Sequence, residues 1–146
     1  MAVADRFLRY VRIDTQSDPG STSVPSTAKQ KDLSTLLRAE LEALGAEDVR
    51  MDEYGYVFAS LLGTVNGPTI GLLAHVDTSF DAPGAGVQPI VHQRYDGGPL
   101  ALPGDSSQVL DGTVDPALAA VAGHDLITSD GTTLLGSDDK AGVAII

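Results

Sequence analysis

The segment GLLAHVDTSF, residues 71–80, constrains this chain more than any other. A run of apolar residues stops at His75, and Asp77 follows two positions later. A continuous apolar strand is one buried on both faces, which calls for a sheet with helices on either side, hence an α/β fold. Its polar end admits two readings. The strand leaves the core there for a solvated loop, or a metal site is built at the strand end.

The flanking segments fit α/β. VADRFLRYVRI reads as a short amphipathic helix with Phe7, Leu8 and Val11 on one side. A loop rich in Ser, Thr, Gly and Pro follows. Leu33, Leu36, Leu37, Leu41 and Leu44 then recur at helical spacing, and Gly45 sits where a glycine ends a helix. DVRMDEYGYVFASLLG predicts two short strands around Tyr54-Gly55. An Asn66-Gly67 turn should lead into the third, apolar strand.

Residues 80–123 show no dominant period, although GVQPIVHQRY has room for a strand. DPALAAVAG predicts a short helix with Asp115 as N-cap, Pro116 at the first position and Gly123 past its end. HDLITSDGTTLLGSDD predicts strand, Asp130-Gly131 turn, strand. DKAGVAII reads as the first turns of a helix, and stopping there without a polar tail is the pattern of a cut chain.

Composition narrows the function classes. Nine Lys and Arg against twenty Asp and Glu give a net charge of −11. Such a surface repels phosphate backbones and anionic lipid heads, so nucleic acid and membrane are set aside as partners. There is no cysteine, so a metal would be held by His and carboxylate alone. No secretory pattern and no membrane-length apolar run is present, which points to a soluble cytoplasmic protein. GTTLLGSD has P-loop glycine spacing, but Ser137 stands where the lysine must be. There is no G-x-S-x-G elbow and no H-E-x-x-H.

Three pieces survive: His75, Asp77 and the pair Asp138-Asp139 before Lys140. Residues two apart on a strand point the same way, so Asp77 can reach the His75 ring and fix its tautomer. Asp138 also sits at a strand end, where ligands of α/β sheets collect. The competing reading of Asp138-Asp139 is a solvated helix N-cap pair. His92 and His124 lie in polar, loop-like contexts and read as surface groups.

LLAHVDTS together with TTLLGSDDKAGVA resembles the zinc aminopeptidases of the M20 peptidase family, most closely its tripeptide aminopeptidases. RFLRYVRIDTQS, VPST and LITSDGTTLLGSDDKAG extend the resemblance over nearly the whole chain. It implies an α/β/α catalytic domain with a mixed sheet, of which residues 1–146 form the N-terminal portion. It implies a site for two zinc ions. His75 would ligate one zinc, Asp77 would orient His75 and count as catalytic, and Asp138 would bridge both metals. The glycine that follows the lysine in the family is Ala141 here, with Gly142 next. A cis peptide bond between Asp138 and Asp139 is a further expectation from the family.

The family's general-base glutamate, its remaining ligands and its lid domain lie beyond the bridging aspartate. They are therefore expected to be missing from this chain, and the chain alone is expected to be inactive. The implied substrate is a tripeptide that loses its N-terminal residue, and a homodimer would form through the lid domain. Two other readings remain: a different M20 hydrolase, such as a dipeptidase or acyl-amino-acid deacylase, and a non-catalytic fragment.

Overall fold

Packing of the first helix against the last one organises the molecule. In the computed structural model, which describes residues 2–146, helix α1 spans Val3–Tyr10 and helix α2 spans Gln30–Ala43. Phe7, Tyr10 and Val11 are buried at one helical spacing, and Leu33 of α2 packs among them with no exposed surface. Leu36 and Leu37 pack against the same cluster, whereas Leu44 is exposed, so the leucine period marks the buried stripe over the first half of the helix and not at its end. The helix ends as its sequence requires. Gly45 takes φ +80°, its N–H donates to Glu42 O, and Ala46 N–H donates to Leu41 O. These two bonds are those of a Schellman cap.

A hairpin follows, β1 (Glu47–Met51) antiparallel to β2 (Val57–Ser60). Its turn is held by Asp52, whose Oδ1 accepts from the backbone of Tyr54 and Tyr56. Strand β3 (Ile90–His92) pairs with β6 (Leu126–Thr128), and β4 (Leu100–Leu102) pairs with β5 (Asp105–Leu110). Helix α3 (Pro116–Ala119) is capped by Asp115, which accepts from Ala117 and Leu118 N–H. The last element, α4, runs from Ser137 to Ile145 with a kink at Asp138 and Asp139.

Mixed helix and strand is the observed class, but the sheet differs from expectation. Three separate two-stranded antiparallel sheets stand in place of one continuous sheet between helix layers. The apolar run before His75 forms no strand. Its one ladder contact nearby is an isolated parallel bridge from Gln16 to Thr78. Ile70, Leu72 and Leu73 are exposed, Leu73 at 90%. A strand exists only where a neighbour supplies the hydrogen-bond ladder, and among the described residues none does. The strand expected after the Asp130-Gly131 turn is absent for the same reason. The β4–β5 hairpin, by contrast, lies where the sequence shows no period, since most of its residues are exposed on both faces.

Candidate metal centre

The site is assembled on an irregular stretch, residues 13–17, just past α1. Thr78 N–H donates to Thr15 O at 3.2 Å, and Ser17 N–H donates to Thr78 O at 3.0 Å. Ser17 Oγ reaches the same carbonyl at 2.9 Å. Gln16 adds its side chain, donating Nε2 to Ser79 O and Ala82 O. These bonds fix the segment His75–Thr78 in space even though it belongs to no sheet.

His75 is thereby presented to two carboxylates. Its Nδ1 lies 3.1 Å from Asp77 Oδ1 and 3.1 Å from Asp77 O. Its Nε2 lies 3.1 Å from Asp138 Oδ1. Burial pulls the imidazole pKa down, but the charges of Asp77 and Asp138 and their hydrogen bonds outweigh it, and the net shift is upward.

The two aspartates at the start of α4 have separate tasks. Asp139 Oδ1 accepts from Gly142 N–H at 3.1 Å, the bond of an N-cap to the third helical residue. A Cβ at position 142 would collide with that carboxylate, so Gly142 serves the cap. Asp138 has φ −91° and ψ 104°, outside the helix, and its side chain is 94% exposed and turned to His75. The peptide bond between them is cis, as expected. The N-cap reading thus finds its residue in Asp139, and Asp138 is left facing His75.

Lys140, the lysine of the resembled motif, is buried in the structure. Its side chain is 1% exposed, and Nζ donates to Ile13 O at 2.7 Å. Burial lowers its pKa to about 8, against the opposing charge of Asp14. Asp14 itself is paired with Lys29 at 2.8 Å. The other two histidines lie elsewhere. His92 Nε2 meets Thr128 Oγ1 at 3.0 Å between β3 and β6, and His124 is exposed.

Zinc ligands about 2.0–2.2 Å from the ion in tetrahedral array stand roughly 3.3 Å from one another. The 3.1 Å between His75 Nε2 and Asp138 Oδ1 matches that separation. Asp77 on Nδ1 is the partner that leaves Nε2 free to ligate. The donors present therefore fit a zinc ion, but there are two of them. Among the described residues no group of three or more His, Asp or Glu side chains could hold a metal.

No family model matches the chain. Individual relatives do. It is 52% identical over 144 residues to peptidase T of Staphylococcus carnosus (strain TM300), which takes in 97% of this chain and 35% of that protein. Peptidase T of Geobacillus thermodenitrificans (strain NG80-2) is 51% identical over the same shares. Peptidase T of Staphylococcus epidermidis (strain ATCC 12228 / FDA PCI 1200) is 51% identical over 146 residues, 99% of this chain and 35% of that protein. The chain spans about a third of the length of the curated relatives it matches, and across nearly all of its own length it is peptidase T that it resembles.

Proposed function

We propose that this chain forms part of a zinc-dependent aminopeptidase of the M20 family that removes the N-terminal residue from tripeptides. The observation that carries the reading is the convergence of His75 Nε2 and Asp138 Oδ1 at 3.1 Å, with Asp77 on the far side of the ring. The relatives' shared name, peptidase T, supports it.

In this reading His75 and Asp138 hold metal. Asp77 accepts the Nδ1 proton, which fixes the tautomer and directs the Nε2 lone pair outward. Bound zinc supplies a water of lowered pKa and polarises the scissile carbonyl. The carboxylates of Asp77 and Asp138 set the negative potential that draws a divalent cation to this rim. A two-zinc site, a cytoplasmic location and a homodimer belong to the same reading.

The same geometry suits a second reading, in which the His75 ring is a structural clamp between two carboxylates. Zinc titration separates the two, read by competition with a chromophoric chelator. Metal ligation requires that His75→Ala and Asp138→Asn each weaken binding. A clamp requires that both lower the melting temperature and leave zinc binding unchanged.

A further inference from the structure

Resting on that metal-site reading, we propose that Lys140 is a positioning residue for the His75–Asp138 pair, acting through the backbone of residues 13–17. Lysine is almost never fully buried without a specific partner. Lys140 is 1% exposed, and the partner is the Ile13 carbonyl, 127 residues away in sequence. Two residues further along, Thr15 O accepts from Thr78 N–H, and Ser17 N–H donates to Thr78 O. Thr78 directly follows Asp77, and Lys140 lies two residues after Asp138. One five-residue stretch therefore carries both halves of the site.

The approach of the two halves is close. A Cβ added to Gly136 would stand 3.1 Å from Thr78 Cγ2 and 3.7 Å from Lys140 Cδ. The chain entering Asp138 thus passes directly against the residues that hold each half. An apolar side chain could fill the volume of Lys140 without the cost of desolvating an ammonium. What the lysine adds is a donor at fixed reach, which sets where α4 begins relative to Thr78.

The test is zinc titration of the parent chain, Lys140→Met, His75→Ala and Asp138→Asn, with melting curves for each. Lys140→Met is expected to melt cooperatively and to bind zinc about tenfold or more weakly, the scale seen when the support of a ligand is removed. In a His75→Ala background it should cost nothing further. In the parent, added zinc should shift the Ile13 carbonyl and Lys140 Nζ resonances along with those of the His75 ring. Parent-like zinc affinity in Lys140→Met, beside losses in His75→Ala and Asp138→Asn, overturns the proposal and leaves the metal site standing. Unchanged affinity in His75→Ala removes the metal site and the proposal together. If Lys140→Met does not fold, the parent spectrum decides: a zinc response at His75 without one at Ile13 refutes the coupling.

Discussion

His75 Nε2 lies 3.1 Å from Asp138 Oδ1 across 63 residues of chain, while Nδ1 of the same ring lies 3.1 Å from Asp77 Oδ1. One imidazole thus joins two carboxylates of different character. Asp77 is local to the histidine and orients it, whereas Asp138 arrives from a distant element. Replacing Asp77 by Asn should lower zinc affinity about 10–100-fold, since orienting partners of ligating histidines carry that weight. Chelator competition on the purified chain measures it. An unaltered affinity would mean that Asp77 has no hold on the ring.

Asp138 and Asp139 should separate cleanly by mutation. Asp139→Ala removes a helix cap and is expected to cost about 1 kcal/mol of stability with zinc affinity retained. Asp138→Ala removes an exposed carboxylate, so stability should move by no more than about 0.5 kcal/mol while zinc binding falls. Gly142→Ala should destabilise like Asp139→Ala, because the new methyl group meets the capping carboxylate. Denaturant melts and zinc titrations on the three variants give the comparison.

Acid should weaken the link between Asp14 and α2. Burial raises the Asp14 pKa, but its hydrogen bonds to Lys29 and to Gln16 N–H prevail and the net shift is downward. A carboxylate with a depressed folded-state pKa stabilises the fold above its unfolded pKa, and the stabilisation disappears as pH falls through the folded value. Both partners are about one-third exposed, so the pair contributes at most about 1 kcal/mol. Asp14→Asn should therefore melt below the parent at pH 7 and level with it near pH 2. A gap that persists at pH 2 would assign the effect to lost packing.

Hydrolysis by the 146-residue chain should be no faster than by its His75→Ala variant. Zinc sites normally use at least three protein ligands, and the described residues converge two. A positioned general base is worth roughly 10²–10⁴ in rate, and among the described residues no glutamate is hydrogen-bonded to His75 or Asp138. Release of the N-terminal residue from a simple tripeptide, with zinc added, is the assay. Turnover that requires both zinc and His75 would show that the chain completes its site in another way.

The exposed apolar run before His75 should govern association. Leu73 is 90% exposed beside exposed Ile70 and Leu72, and an uncovered apolar run of this kind invites association with another chain. Leu73→Lys should leave the melting temperature nearly unchanged and reduce light scattering at high concentration. Equal scattering from both chains would place the sticky surface elsewhere.

The sequence was most informative where structure is local. The leucine stripe of α2, its Gly45 ending and the Asp115-Pro116 start of α3 depend on residues within a few positions of one another. The sheet was legible only as strand-like runs, because pairing is decided by segments far away. Residues 70–73 have a buried strand's composition and yet stand exposed. At the site, His75, Asp77 and Asp138 were marked by residue type and by resemblance. Lys140 was marked by the resemblance alone and without a role, because its partner, Ile13 O at 2.7 Å, lies 127 positions away.

The bond from Lys140 to Ile13 spans 127 positions, and that from His75 to Asp138 spans 63. On the ribosome, synthesis proceeds at about 5–20 residues per second, so His75 emerges on the order of several seconds before Asp138. Helix α1 and the Ile13 carbonyl emerge earlier still. For that interval the nascent chain holds an imidazole with Asp77 and nothing opposite. Only when the Asp138–Lys140 turn clears the exit tunnel can the rim close, so the two halves of the site come together in the order in which the chain is made.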